Sequence, residues 1–388
     1  MTDWQLQQLT QGTDEGRFHT HSYYDINVFD STSRYVAAHC VAFAERQPTA
    51  DDSVEVGVID LDDDARWIPV GTSHAWSWQQ GPMAQWVPGR TTLIWNDRDD
   101  DTFVTRVHDL ASGTTRTLGR PSYAVDPNGR FTLSLNMARL QAVRPGYGYA
   151  GGRGARLSQR APRGDGVWRQ SLDDGGDTLV LSVRRAVRFL MSRIGWRAYL
   201  RHTRSRYRYW FNHVKLSPDG RRFTVKLRFR TRGGGWNDRM GVSLTCNVDG
   251  SDLRLLASAT SHVIWLDNRS LYFWQRDGFY LYADEAPEGR RIRQIAPEAL
   301  GANAHVRYFP GSTRRFVFDT PYAEEIDLCV YDESDASARR IARFGNHRPS
   351  RGPFRCDLHP CPSPDGRRIV VTSLNDGGRQ LYLLHGSD

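Results

Sequence analysis

The sequence contains no run of about eighteen apolar residues, so none of its apolar segments is long enough to form a transmembrane helix. Cysteine is also scarce. Five cysteines, an odd number, argue against a disulfide-stabilised scaffold and favour a reducing compartment. The amino terminus lacks the basic segment and apolar core of a signal peptide. We therefore expect a cytoplasmic protein, or a secreted one if a leader has been removed, and no association with a membrane.

Lysine is nearly absent, although the net charge is +8. Only Lys215 and Lys226 are lysines, and every other residue among the 52 Lys and Arg is arginine. Guanidinium groups bind carboxylate, sulfate and phosphate groups through paired hydrogen bonds. The composition therefore predicts an acidic ligand. Nucleic acid is the weaker expectation, because the sequence has no recognised nucleic-acid-binding motif.

A turn sequence recurs between strand-like runs of residues. Its clearest copies lie at residues 126–130, 217–222 and 363–368, and the last two read Ser-Pro-Asp-Gly-Arg-Arg. In such a turn proline presets φ and glycine accepts a positive φ. The alternating β-branched residues that follow each copy indicate a strand.

Weaker copies of the turn lie at residues 29–34, 86–90, 265–268 and 309–312, which makes seven repeats. Most are separated by about 40 to 60 residues, the length of a four-stranded propeller blade. The repeats predict an all-β fold, a seven-bladed β-propeller forming a single domain over residues 1–388. A β-sandwich or two smaller β domains are the alternative.

The interval between Pro127 and Pro218 is too long for one blade. We expect an Arg-rich, helical insertion at residues 150–210, with a helix near residues 183–200. Basic and aromatic residues alternate over residues 201–210, a pattern that binds polyanions. The alternative is an exposed amphipathic helix whose arginine stems cover apolar surface.

Cys356, His359 and Cys361 are close in sequence and offer thiolate and imidazole ligands to a metal such as Zn²⁺. A complete site needs a distant ligand, and His213 and His262 each precede a repeat turn. The alternative is that both cysteines are simply small buried residues.

Other candidate binding residues lie beside turns or in aromatic loops. His21 shares one face of a strand with His19. Tyr123 enters a turn and Arg139 follows the returning strand, so both side chains can face the propeller axis. Tyr147 lies in the stiff aromatic loop that follows.

The segment around Trp78 combines indole and amide side chains. An apolar ring face together with amide hydrogen bonds suits a sugar ring, so His74, Trp78 and Gln80 are candidate substrate contacts. Packing of the tryptophans between blades is the alternative.

These stretches resemble the propeller-type polysaccharide lyases, namely oligogalacturonate lyase and the seven-bladed ulvan lyases. The resemblance rests on residues 21–25, 78–81, 212–213 and 356–360, and on Tyr123 with Arg139. The repeat pattern of these lyases extends over most of the chain, but only tens of positions match them residue by residue. The resemblance implies β-elimination on an anionic oligosaccharide or polysaccharide that contains uronic acid. Such a reaction needs a base for the C5 proton, a cation beside the carboxylate and an acid for the leaving oxygen.

The resemblance also implies roles for individual residues. Tyr123 would act as acid, base or both, Arg139 would neutralise the substrate carboxylate, and His213 would be the basic histidine. His21 is a further candidate for acid–base work or substrate contact. Apart from the resemblance, Tyr147 of the aromatic loop is a candidate substrate contact.

The metal site that the resemblance implies would use His262, Cys356 and His359, with Cys361 as a fourth ligand. Because thiolates favour Zn²⁺ over Mn²⁺, we expect zinc. A closed thiolate-rich site is more often structural, so a metal that ties blades together is the alternative.

The alternative function is a non-catalytic, TolB-like propeller that binds a protein or glycan without turnover, since propellers host many functions. A hydrolase is disfavoured, because the sequence has no Gly-x-Ser-x-Gly elbow.

Overall fold

The computed structural model describes residues 3–235 and 239–386. Its strands form seven antiparallel sheets of four strands each, and the fold class is the predicted seven-bladed β-propeller. Each sheet is one blade, and the blades are numbered in chain order. The chain divides into two compact units. The first unit consists of Met1–Leu118 and Ala296–Asp388, and the second unit consists of Gly119–Ile295.

The first unit contains blades 1, 2, 6 and 7. The amino-terminal strand is β1 (Trp4–Gln8), followed by a short 3-10 helix at Thr13–Glu15. Blade 1 comprises β2 (Phe18–Thr20), β3 (Tyr35–Val41), β4 (Val54–Asp60) and β5 (Arg66–Ser73). Blade 2 comprises β6 (Gln85–Trp86), β7 (Thr92–Asp99), β8 (Thr102–Asp109) and β9 (Thr114–Leu118).

The second unit contains blades 3, 4 and 5. Blade 3 comprises β10 (Ala124–Val125), β11 (Phe131–Ser134), β12 (Gly166–Ser171) and β13 (Asp177–Ser182). Blade 4 comprises β14 (Arg208–Leu216), β15 (Arg222–Arg230), β16 (Met240–Asn247) and β17 (Arg254–Ser258). Blade 5 comprises β18 (Thr260–Trp265), β19 (Ser270–Gln275), β20 (Gly278–Ala283) and β21 (Arg290–Ile295).

The last two blades return to the first unit. Blade 6 comprises β22 (Val306–Tyr308), β23 (Arg315–Asp319), β24 (Ile326–Asp332) and β25 (Ser337–Phe344). Blade 7 comprises β26 (Cys361–Pro362), β27 (Arg368–Ser373) and β28 (Gln380–Gly386), and β1 pairs antiparallel with β28 as its fourth strand. The amino-terminal strand therefore completes the sheet that the carboxy-terminal strands begin.

The repeated turn joins the first strand of each blade to the second in all seven blades. In blade 4 the backbone N–H of Ser217 donates to the carbonyl of Arg222 at 2.8 Å, and blade 7 has the same bond from Ser363 to Arg368 at 2.9 Å. Gly220 occupies the expected left-handed conformation, with a φ of 69°. The turn chemistry read from the sequence thus fixes the pairing register of the inner strands.

The long interval in the repeat consists of two inserted segments. Helix α1 (Met137–Val143) and the loop after it lie between β11 and β12. Helices α2 (Val183–Met191) and α3 (Trp196–Arg204) lie between β13 and β14. The predicted insertion at residues 150–210 therefore also contains two strands of blade 3. The predicted helix near residues 183–200 is two helices, separated by the residues between Met191 and Trp196. In the described residues, no helix is both long and apolar enough to cross a bilayer.

Arg139 holds the first inserted segment in place. The residue lies in α1 and its side chain is 2% exposed. Its guanidinium donates hydrogen bonds of 2.7 to 3.3 Å to the carbonyl oxygens of Ala155, Arg156, Gln159, Arg160 and Tyr209. All its donors are thus engaged inside the protein. The side chain ties the loop and β14 to α1, and its predicted role in substrate neutralisation stays a prediction that these bonds do not support.

We predict that Arg139→Gln lowers the free energy of unfolding by about 3–5 kcal/mol, because it leaves a group of buried acceptors without their donor. Urea denaturation measures the change. Arg290→Gln is the control, since Arg290 forms an exposed ion pair with Glu285 at 2.8 Å, and such pairs contribute less than about 1 kcal/mol. Full stability of Arg139→Gln, combined with loss of substrate affinity, would restore Arg139 to the substrate site.

Candidate functional site

Four consecutive blades carry a histidine at the same position in the repeat. Each lies four residues before the residue whose backbone N–H closes the turn. The four are His213, His262, His305 and His359. The sequence analysis selected three of them and missed His305, although its distance from the turn at Phe309 was the signal that could have found it.

The backbone at three of these histidines departs from the strand conformation. His213, His262 and His359 have φ values of 58°, 51° and 49°. His213 and His262 also fall at breaks in the pairing register of their blades. A positive φ costs a non-glycine residue about 1–2 kcal/mol, and such strained positions cluster at functional sites.

In the first unit, two of the repeat histidines form a group with a carboxylate. His305, Asp357 and His359 are 0%, 4% and 7% exposed, and one ligand atom of each lies within 4.8 Å of the others. His305 directly precedes β22, and the other two precede β26. Two imidazoles and a carboxylate are a donor set for a divalent metal ion.

A second buried carboxylate sets the tautomer of His305. Asp319, at the end of β23, accepts the backbone N–H of His305 at 2.8 Å, and its other oxygen lies 2.9 Å from Nδ1. Nδ1 therefore carries the proton, and Nε2 presents the lone pair that a metal ion requires. This carboxylate–histidine arrangement is the usual support of a metal-binding imidazole.

Asp357 is held from one side only. Its Oδ2 accepts from Nε of Arg355 at 2.8 Å and lies 3.7 Å from Nε2 of His359. Its buried Oδ1 has no hydrogen-bond partner among the described residues. Tyr23 packs its ring 4.7 Å from that of His359, and Tyr24 packs 4.9 Å from His305. The donor atoms therefore fit a bound divalent ion beside an aromatic wall.

Neither cysteine of the predicted metal site belongs to this group. Sγ of Cys356 faces the carbonyls of Asp357 and Thr372, and Sγ of Cys361 lies 3.5 Å from the carbonyl of Ile26. Burial raises the pKa of Cys356 to about 11 and raises that of Cys361 as well. Both thiols stay protonated, whereas a metal binds the thiolate. The preference for Zn²⁺, which rested on thiolates, loses its basis.

The remaining predicted metal ligand, His262, belongs to blade 5 and lies in the second unit. The group of metal-binding side chains in the described residues contains His305 and Asp357 in place of His262 and the cysteines.

His21 lies beside the segment that carries this group. Its backbone N–H donates to Oγ1 of Thr372 at 3.3 Å, and the backbone N–H of Thr372 donates to the carbonyl of Leu358. Nδ1 lies 2.6 Å from the carbonyl of Ser22, so this nitrogen is the donor. Burial lowers the pKa of His21 to about 4, which keeps the ring neutral.

The predicted sugar platform is part of the core of the first unit. Trp78 packs against Trp76 at 5.2 Å and donates from Nε1 to the carbonyl of Arg46. Gln80 is completely buried. His74 is half-exposed, and its backbone N–H donates to Asp97. Trp78 therefore packs in the core, as in the alternative that the sequence left open for the tryptophans, and sugar contact by His74, Trp78 and Gln80 stays a prediction.

In the second unit, Tyr123 and His213 are brought into direct contact. The hydroxyl of Tyr123 lies 2.6 Å from Nδ1 of His213. Arg144 donates from NH1 to Oδ1 of Asn212 at 2.7 Å and lies 3.3 Å from Nε2 of His213. The predicted substrate contact Tyr147 lies against the same histidine, with ring centroids 5.7 Å apart.

These contacts determine the proton positions on His213. Arginine can only donate, so Nε2 of His213 is the acceptor from Arg144. In a neutral imidazole Nδ1 then carries the proton and donates to the oxygen of Tyr123. Burial, followed by the charge of Arg144, lowers the pKa of His213 well below its ordinary value. The pair is thus a neutral histidine and a phenol whose own proton is directed away from the imidazole.

The electrostatic surroundings of His213 are cationic. Besides Arg144, the groups that lower its pKa include Lys215 and Arg228. Lys226 lies opposite Asn212 in the sheet, but burial lowers its pKa well below the ordinary value, so the positive charge comes from Arg144, Lys215 and Arg228. A set of cations around a neutral proton-transfer pair suits an anionic substrate. The arginine that lies beside His213 is Arg144, to which the sequence analysis gave no role. The guanidinium of Arg139 is instead bonded to backbone carbonyls.

No protein-family model matches the sequence, and no curated protein is significantly similar to it. Among solved structures, oligogalacturonate lyase in complex with manganese superposes with a TM-score of 0.64 at 16% identity, over 100% of this chain and 96% of that one. Oligogalacturonate lyase from Vibrio parahaemolyticus gives 0.61 at 11% identity, over 99% and 97%. The β-propeller domain of the Trilobed protease from Pyrococcus furiosus gives 0.53 at 11% identity, over 96% and 94%. The resemblance to oligogalacturonate lyase is therefore confirmed at the level of the fold.

Proposed function

We propose that the protein is a polysaccharide lyase that performs β-elimination on an anionic oligosaccharide or polysaccharide containing uronic acid. The contact of Tyr123 with a neutral His213 beside Arg144 carries this proposal. It provides the three groups that the reaction requires: a base, an acid and a cation for the substrate carboxylate.

His213 is the proposed base and Tyr123 the proposed acid. When Arg144 turns its N–H groups to the substrate carboxylate, Nε2 of His213 is released from its bond to Arg144. Nε2 then takes the C5 proton, the C5–H electrons form the C4–C5 double bond, and the C4–O4 bond breaks. Tyr123 gives its hydroxyl proton to the leaving O4. The Nδ1 proton of His213 then returns to the phenolate oxygen, 2.6 Å away, which leaves both residues neutral.

Arg144 is the proposed carboxylate ligand. Negative charge builds on the carboxylate while the C5 proton leaves, and a guanidinium that binds this group stabilises the transition state. Tyr147 stacks under Arg144, with the guanidinium 3.3 Å from the ring centroid. The aromatic face fixes the position of the cation.

The buried group in the first unit is the proposed metal site. His305, Asp357 and His359 would hold a divalent ion, with Asp319 orienting His305. When bound, such an ion supplies a fixed positive charge that attracts oxyanions. Imidazole and carboxylate donors accept both Mn²⁺ and Zn²⁺.

We predict that wild-type protein raises the ultraviolet absorbance of at least one uronate polymer, because elimination leaves a double bond conjugated to the carboxylate. Tyr123→Phe and His213→Gln should each lower kcat by about 10²–10⁴-fold, the range for loss of an acid or base. Tyr282→Phe is the matched control, because it removes a hydroxyl bonded to Gln275 elsewhere in the same unit. No absorbance change across a broad panel of uronate polymers would favour a non-catalytic, glycan-binding propeller.

We predict that kcat/KM remains constant from pH 8 to about 6.5 and declines only below that range. The reason is that His213 must be neutral to act as base, and its lowered pKa keeps it neutral until the pH falls through that value. Arg144→Gln removes a nearby positive charge, so the pKa of His213 rises and the acidic limb moves to higher pH. An acidic limb above pH 6.5 in wild-type protein would contradict His213 as base.

We predict that Mn²⁺ added to chelator-treated protein raises Tm, by an amount equivalent to about 2.7 kcal/mol at a hundredfold excess over Kd. His305→Gln and Asp357→Asn should abolish the increase. Cys356→Ala and Cys361→Ala should retain it, because neither thiol belongs to the group. Loss of the Tm increase in the cysteine variants alone would re-establish a thiolate site.

A further inference from the structure

The two inserted segments of the second unit border an open cavity of about 960 Å³. Its walls come from α2, α3, the loop before β12 and the start of β14. Four arginines line it: Arg160, Arg163, Arg184 and Arg188. No carboxylate is among its described lining residues. We call this feature the arginine cavity.

The four arginines differ in how their donors are used. Arg160 donates to the carbonyls of His202 and Tyr207 and so helps to form the wall. Arg163, Arg184 and Arg188 have no hydrogen bond or ion pair from their guanidinium groups to any described residue. The positive charges of Arg163 and Arg188 also lower the pKa of Arg184, which shows that these cations oppose one another. Mutual repulsion of three arginines at one cavity is relieved when an anion binds between them.

The cavity is connected to the proposed catalytic pair through one strand. Tyr209 lines the cavity, and His213 lies four residues further along β14. At no more than about 3.3 Å per residue, the two positions are at most roughly 13 Å apart. A chain molecule bearing several anionic groups can reach both positions.

The aromatic residues of the cavity favour a glycan over a nucleic acid. Single-stranded nucleic acid is held on exposed aromatic faces that stack with bases. Tyr209 is buried, its hydroxyl bonds Nδ1 of His202, and its ring packs against Phe229 at 5.6 Å. Among its described lining residues, the cavity thus offers guanidinium groups for oxyanions but no exposed aromatic face, and guanidinium forks match carboxylate and sulfate groups.

We propose that the arginine cavity is a second binding site for an anionic polysaccharide, which holds carboxylate or sulfate groups of the chain at a distance from Tyr123 and His213. The identity of the ligand as a uronate polymer rests on the proposed function. The site increases affinity for long chains through a second, simultaneous contact and takes no part in the elimination itself.

The test compares two triple variants with the same change of net charge. One is Arg163→Gln/Arg184→Gln/Arg188→Gln in the cavity. The control replaces Arg221, Arg269 and Arg276, three exposed arginines of the same unit, with glutamine. Each is made in the Tyr123→Phe background, so that binding is measured without turnover. The probes are polygalacturonate, chondroitin sulfate, trigalacturonate and a single-stranded oligonucleotide, and Tm verifies that each variant is folded.

We expect the cavity variant to lose at least tenfold in affinity for polygalacturonate or chondroitin sulfate, while the control variant loses less than threefold and trigalacturonate binding is unchanged. Arg184→Lys, which keeps the charge without the fork, should show an intermediate loss. Equal polymer binding by the cavity variant and wild-type protein overturns the inference, and so does failure of wild-type protein to bind either polymer. Loss of oligonucleotide binding alone identifies a nucleic-acid site instead.

The proposed function and the cavity fail separately. Absence of elimination on every polymer, together with a tenfold loss of polymer binding in the cavity variant, refutes the lyase and retains a glycan-binding cavity. Elimination with unchanged polymer binding refutes the cavity and retains the lyase.

Discussion

The backbone hydrogen bond that closes the turn between the first and second strands of a blade is the constraint from which the candidate sites follow. It sets the register of the inner strands, and a one-residue slip would reverse the direction of every side chain in a strand. Because the bond recurs in each blade, the residue four positions earlier occupies an equivalent place each time. Four such places carry histidine, and three of these have a positive φ that turns the imidazole away from the regular alternation of the strand.

Burial then decides the protonation state of the groups at these places. Desolvation disfavours charge, so it lowers the pKa of histidines and lysines and raises that of thiols. His213 is neutral, the thiol of Cys356 stays protonated, and the pKa of Lys226 falls well below its ordinary value. A neutral imidazole can accept a proton or bind a metal ion, whereas a buried thiol here only donates weakly to backbone carbonyls. The same physical effect thus supports the proposed base and removes the predicted thiolate ligands.

Arginine has two distinct uses in this chain. Arg139 is enclosed by backbone carbonyl oxygens and serves the fold. Arg144 packs on Tyr147 and lies beside the proposed proton-transfer pair. Arg163, Arg184 and Arg188 line a cavity whose described lining residues include no carboxylate. The high arginine content read from the composition therefore has structural as well as electrostatic consequences. Under the proposed function, the guanidinium groups that are not engaged by backbone carbonyls are the ones that would bind an anionic substrate.

The seven blades could be predicted from the amino-acid sequence, because turns and alternating strands depend on residues close together in the chain. The sequence also singled out Tyr123, His213 and His359 as candidates, from their places beside turns, from the Cys-x-x-His spacing and from the family resemblance, and their roles stay predictions. Only the tertiary structure decided which side chains meet: Tyr123 contacts His213 from 90 positions away, and Arg144 contacts Asn212 from 68. It likewise decided that Arg139 and Trp78 are enclosed and that His305 joins Asp357. A local pattern specifies where a side chain leaves the backbone, but its partners, solvent exposure and charge depend on what packs around it.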